Sequence, residues 1–68
     1  MESLLDKSPG TYTIVKITKP CNKFHELGLI PGSKITVISS YNRGPMIIRI
    51  GNSKIAIGRG MASSILVE

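Results

Sequence analysis

The side chains best suited to chemistry are one thiol and one imidazole, Cys21 and His25, which stand four positions apart. On a helix this spacing places both on one face, where they could form a thiolate–imidazole pair or half of a metal site. A zinc site needs three or four ligands, and only Glu26 and Asp6 could complete the set. Because a free cysteine usually packs as a small apolar residue, the pattern favours a packed Cys21 and a solvent-exposed His25. We therefore expect no catalytic residue, no metal ligand and no cofactor.

The glycine-rich stretch at residues 51–62, GNSKIAIGRGMA, is the other candidate for a ligand site. Phosphate-binding loops follow the pattern G-x-x-x-x-G-K-[ST], or G-x-G-x-x-G immediately before a helix. Neither pattern occurs here. These glycines are predicted to be turn residues.

Size and composition favour one small domain covering residues 1–68. Cys21 is the only cysteine of the 68 residues, which excludes an intrachain disulfide and fits a reducing cytosol. The formal net charge is +5, which suggests nucleic acid, anionic lipid or an acidic protein as a partner. The basic residues are scattered along the chain, which favours an ordinary solvated surface over a nucleic-acid site. Without a membrane-length apolar stretch or a signal-peptide pattern, the protein is expected to be cytoplasmic.

The hydrophobic pattern predicts five short strands. Alternating apolar residues, rich in β-branched side chains, follow a polar N-terminal lead and are typical of strands. A Gly51-Asn52 pair between two such runs predicts an antiparallel hairpin. The predicted strands cover residues 11–17, 33–39, 46–50, 53–57 and 65–67, and a single helical turn is possible in GRGMASS, residues 58–64.

Between the first two strands, the sequence predicts a short helix with an abrupt end. Pro20 suits the first turn of this helix, and Gly28 suits the left-handed residue beyond its last turn. Phe24 and Leu29 then occupy the two positions that make the hydrophobic contact of a Schellman cap. Pro31-Gly32 fits the central positions of a type II turn, so the chain can reverse and begin a strand.

The expected fold class is mainly β: a small SH3-like barrel of about five strands with one short helix after the first strand. Closure of a barrel removes exposed sheet edges, which would otherwise promote aggregation. A five-stranded OB-type barrel is the alternative, but its helix would more often lie between the third and fourth strands.

Three segments resemble the FeoA family, small cytosolic accessory proteins of bacterial ferrous iron uptake that share their fold with the C-terminal domain of iron-dependent repressors. They are FHELGLIPGSKITVI, GPMIIRIGNSKIAI and MASSILV, in that order, and the likeness runs from about residue 11 to residue 67. The strongest element is Leu27-Gly28-Leu29 followed by Pro31-Gly32. The SH3-like fold expected from the strand pattern is also what this resemblance implies.

The resemblance implies a noncatalytic interaction module rather than an enzyme. Its partner would be the ferrous iron permease FeoB, which carries a G-protein domain and would be bound at its cytosolic face. The module would contact the membrane only through this partner. An RNA- or DNA-binding small barrel is the alternative, supported by the net charge but not by the three aromatic residues available for base stacking. An iron chaperone would need a cluster of oxygen or nitrogen ligands, which the sequence does not show.

We expect the partner to dock on the loops. Ile30 and Pro31 begin a tight turn, where side chains usually face outward, and Tyr41 and Met46 flank a second turn-rich loop. Together they could form an apolar patch, with Arg43 as a charged contact at its rim. Gly28, Leu29 and Gly32 are assigned structural roles in the cap and the turn.

Overall fold

The computed structural model describes residues 2–19, 22–40 and 44–68. The sequence forms short strands joined by tight turns, with two five-residue helices and one 3-10 turn. In chain order the elements are β1 (Glu2–Ser3), a 3-10 helix (Leu4–Asp6), β2 (Gly10–Ile17), α1 (Asn22–Glu26), β3 (Lys34–Ser39), β4 (Met46–Ile50), β5 (Ser53–Ile57), α2 (Arg59–Ser63) and β6 (Ile65–Val67).

The strands form one antiparallel sheet in the order β1-β6-β2-β3-β4-β5. Strand β2 joins its two halves, because residues 10–13 pair with β3 and residues 14–17 pair with β6. The register of β2 against β6 shifts between Ile14 and Lys16, which leaves Val15 as a bulged residue. A bulge bends a strand and increases its twist, so β2 can belong to both halves of the sheet.

The predicted cap and turn after α1 are confirmed in detail. The Leu29 amide donates to the Phe24 carbonyl at 2.8 Å and the Gly28 amide donates to the His25 carbonyl at 3.1 Å. These are the two hydrogen bonds of a Schellman motif, and Gly28 has the required positive φ of 84°. The Ser33 amide then donates to the Ile30 carbonyl at 3.0 Å, which closes the type II turn.

The predicted hairpin is also confirmed. Strands β4 and β5 have the predicted bounds, and Ile50 pairs with Ser53 across the two-residue loop. The single helical turn expected in residues 58–64 is α2. Its only buried residue, Ala62, packs into the core.

The core lies against the inward face of the sheet and is built almost entirely from aliphatic side chains. It draws on every strand except the two-residue β1, and also on the 3-10 helix, both α-helices and the turn after α1. The buried hydrophobic residues are Leu4, Ile14, Phe24, Leu29, Ile35, Val37, Met46, Ile48, Ile57, Ala62, Ile65 and Val67. Alternation along β3 and β4 leaves the other face of these strands toward solvent.

Two expectations about the N-terminal segment were wrong. The first residues are not a polar lead: β1 pairs with β6, and Leu4 is fully buried. The described residues therefore contain six strands rather than five, and α1 follows the second strand. The Ser3 hydroxyl accepts a hydrogen bond from the Leu5 amide at 3.1 Å, which caps the 3-10 turn that carries Leu4 into the core.

Candidate protein-interaction groove

An apolar groove of about 310 Å³ opens between β2, α1 and the turn that follows α1. Its walls are formed by the bulged part of β2, by the capped helix α1 and by the type II turn. The lining residues are Val15, Lys16, Ile17, Phe24, His25, Leu29, Ile30 and Pro31. We call this site the groove.

Ile30 is the most exposed large apolar side chain of the groove. It is 40% exposed, whereas Leu29 and Phe24 beside it are almost fully buried and form the groove floor. An isoleucine held partly in water leaves apolar surface that a partner could cover. The groove therefore offers an apolar contact that the fold itself does not use.

The backbone around Ile30 is held by hydrogen bonds on both sides. Its amide donates to the Gly28 carbonyl at 3.1 Å, and its carbonyl accepts from the Ser33 amide at 3.0 Å. The Gly32 amide donates to the Ile14 carbonyl at 2.8 Å, which joins the turn to β2. These bonds already order the turn. Binding of a partner over Ile30 would therefore cost little conformational entropy in this part of the chain.

Two polar side chains line the groove, Lys16 and His25, and both are exposed. The polar side-chain groups of this lining are therefore one ammonium group and one imidazole, and none is acidic. An apolar floor with few polar groups suits the docking of a hydrophobic side chain, with an acidic group of the partner near Lys16.

The structure brings together only part of the predicted docking set. Ile30 and Pro31 are exposed and both line the groove. Met46 was wrongly assigned, because it is fully buried in the core, where it pairs with Ile57 across the hairpin. Tyr41 and Arg43 lie outside the described residues.

Sequence reasoning missed the contribution of β2 to this site. Val15 and Ile17 line the groove and are half-buried. Apolar residues on both faces of the first strand were visible in TYTIVKI, and only one face is needed for a core. The second apolar face was the available signal, but the helix that packs beside it could not be placed from local sequence.

The described residues show no constellation for metal chemistry. Within residues 2–19, 22–40 and 44–68, no three His, Cys, Asp or Glu side chains lie close enough to hold a metal ion. His25 and Glu26 are exposed at the end of α1, and Asp6 is exposed in the 3-10 helix. Cys21 lies outside the described residues.

The helices in the described part of the chain are short. None of them has the length and apolar character that crossing a bilayer requires. The two α-helices have five residues each.

The comparisons with known proteins agree with one another. The FeoA domain model matches residues 4–68. A protein of Methanocaldococcus jannaschii with the provisional name Fe(2+) transport protein A is 45% identical over 58 residues, which cover 81% of this chain and 70% of that protein. The crystal structure of an iron uptake regulatory protein, FeoA, superimposes with a TM-score of 0.89 at 36% identity, covering 97% of this chain and 92% of the other.

A more distant structure establishes the fold class. Stenotrophomonas maltophilia FeoA, described as an SH3 domain protein and solved with zinc, has a TM-score of 0.80 at 14% identity and covers all of this chain and 91% of its own. The predicted mainly β, SH3-like fold is confirmed.

Proposed function

The chain belongs to the FeoA domain family, and from this premise we propose that it is a noncatalytic accessory module of ferrous iron uptake. Its relatives are named for Fe(2+) transport and iron uptake. The module would act in the cytoplasm by binding a FeoB-type permease that carries a G-protein domain. Family membership is the observation that carries the transport role.

The groove supports a docking role for this module. Its floor is apolar, its most exposed apolar residue is Ile30, and the turn that presents Ile30 is held by backbone hydrogen bonds. Ordered apolar pockets with a few polar groups are typical sites for a partner's anchoring side chain. We place the permease contact at Ile30 and Pro31, with Tyr41 and Arg43 retained as predicted contacts on the neighbouring loop.

The test is binding to the isolated cytosolic domain of the permease, measured by titration of labelled protein. Ile30→Ser should weaken binding by about tenfold or more, as expected for loss of a central apolar contact. Adding Tyr41→Ser to this variant should weaken it further. Circular dichroism would verify that each variant is folded.

The chain provides a closely matched control. Ile38 on β3 is 39% exposed, almost the same as Ile30, but it does not line the groove. Ile38→Ser should therefore leave binding to the cytosolic domain unchanged. Equal losses for the two single variants, or no loss for Ile30→Ser, would contradict docking at the groove.

A further inference from the structure

The charge of this chain is divided very unevenly along its length. All four carboxylates lie at Glu2, Asp6, Glu26 and Glu68, and the residues outside 27–67 contain an equal number of lysines. Residues 27–67 contain five basic residues and no acidic one. The entire net charge of +5 therefore belongs to the segment that forms β3, β4, β5, α2 and β6.

Strand pairing gathers three of these basic residues on one surface. Arg49 on β4 pairs directly with Lys54 on β5 and with Thr36 on β3, so these side chains share a face. Lys34 lies two residues before Thr36 and therefore points the same way. All three cations are exposed, and within the part of the chain that the structure describes none forms an ion pair. We call this the basic sheet face.

The direct pairing of Arg49 with Lys54 has an energetic cost. Like charges directly opposite each other on neighbouring strands destabilise a sheet. The carboxylates that could neutralise them lie on other elements, and Glu2 pairs instead with Lys7 at 3.3 Å. An arrangement that repels itself in the free protein is relieved when an anionic surface covers it.

Apolar side chains continue the basic sheet face. Ile47 pairs with Ala56 and lies two residues from Arg49, so both face outward beside the cations. Ile38, at the register shift of β3 against β4, is 39% exposed. The result is an outward face of the sheet that carries three exposed cations beside apolar side chains.

This combination points to one class of partner. Cations attract anionic headgroups, while exposed aliphatic side chains insert at the boundary of the acyl chains. Single-stranded nucleic acid would instead favour exposed aromatic rings for stacking, yet among the described residues Phe24 is buried and Lys7 Nζ lies 5.4 Å from the centre of the Tyr12 ring. We propose that the basic sheet face binds an anionic lipid surface. This inference concerns a different surface from the groove and does not rest on the proposed permease contact.

The test uses the full chain and vesicles, with binding measured by co-sedimentation. The parent should bind phosphatidylglycerol-rich vesicles, bind pure phosphatidylcholine vesicles weakly, and lose affinity as salt rises. Each cation near an anionic surface is worth about fivefold in affinity. The variant Lys34→Gln, Arg49→Gln, Lys54→Gln, which removes three such cations, should therefore lose about a hundredfold in affinity.

A control with the same charge loss separates this face from net charge alone. The exposed residues Lys16, Lys19 and Lys23 lie outside the basic sheet face, and changing all three to Gln should reduce affinity by less than about threefold. Ile38→Ser should weaken vesicle binding without changing its salt dependence, because it removes only apolar contact.

Three results would overturn the proposal. The first is equal loss in the two triple variants, which would mean that any three charges serve. The second is binding to phosphatidylcholine as tight as to phosphatidylglycerol. The third is displacement of the parent from the vesicles by a short DNA duplex that binds the parent more tightly at the same salt. If the Lys34→Gln, Arg49→Gln, Lys54→Gln variant no longer bound this duplex, the basic sheet face would be assigned to nucleic acid.

Discussion

At Gly28, backbone conformation rather than lack of space disfavours a side chain. Its φ is 84°, but an added Cβ would meet only Ile50 Cγ2, at an ordinary contact distance of 3.6 Å. We therefore expect Gly28→Ala to lower the free energy of unfolding by about 1–2 kcal/mol, and Gly28→Val to lower it further. Urea denaturation monitored by circular dichroism would measure both.

Gly60 provides the matched control for that prediction. It lies within α2, its φ is not positive, and an added Cβ would meet no atom within 4 Å. Gly60→Ala should raise the free energy of unfolding by about 0.5 kcal/mol, because alanine favours a helix and restricts the unfolded chain. No loss of stability in Gly28→Ala, or a gain like that expected for Gly60→Ala, would contradict the assignment of the cap.

Cys21 and His25 are the side chains most easily mistaken for a metal site. We expect the isolated chain to have no specific ferrous iron site, so that Cys21→Ala with His25→Ala leaves its iron affinity unchanged. Anaerobic calorimetry of the parent and the double variant would measure this. One-to-one binding by the parent at micromolar affinity, lost in the double variant, would show that these residues bind metal.

At the scale of elements, the β4–β5 hairpin carries a testable charge conflict. Lys54→Glu converts the Arg49–Lys54 pair into an opposite-charge pair, which should raise the free energy of unfolding by a few tenths of a kcal/mol, since both side chains are exposed. Lys54→Gln should have about half that effect, because it removes the repulsion without adding an attraction. Both gains should shrink at high salt. The absence of any salt-dependent gain in Lys54→Glu would show that the two side chains do not interact.

The elements that local chemistry determines were predictable from the sequence, and those that distant partners determine were not. The end of α1, the type II turn and the hairpin each depend on residues a few positions apart, so Gly28, Gly32 and Gly51 marked them correctly. Strand β1 exists only because β6, at the other end of the chain, pairs with it. Glu2 and Ser3, which form β1, are both polar and give no local signal for such a pairing.

The candidate site likewise combines a feature that local sequence determines with one that distant packing determines. Ile30 was found because a turn exposes it, whereas the β2 wall of the groove depends on a bulge and on the packing of α1. Met46 was assigned to a loop surface although its alternation with Ile48 already placed both on one face of β4, and that face is the core. The prediction relied on the position of Met46 next to a turn. Strand periodicity, which determines the face that Met46 occupies, was the better guide.

At the scale of the whole molecule, the two proposed surfaces should act together when the permease is in a membrane. The groove would bind the permease and the basic sheet face would bind the surrounding anionic lipid, so occupation of one raises the effective concentration for the other. Affinity for a FeoB-type permease should thus be about tenfold higher or more in phosphatidylglycerol-rich nanodiscs than in neutral detergent. Titration of labelled protein against both preparations would measure this gain.

The variants of each surface should separate the two contributions to that gain. Lys34→Gln, Arg49→Gln, Lys54→Gln should abolish the gain in nanodiscs and keep the affinity in detergent, because it alters only the lipid contact. Ile30→Ser should weaken binding in both preparations by a similar factor, because the groove and the basic sheet face share no residue and should contribute additively to the binding free energy. A gain that persists in the triple variant would mean that the bilayer acts through the permease and not through the basic sheet face.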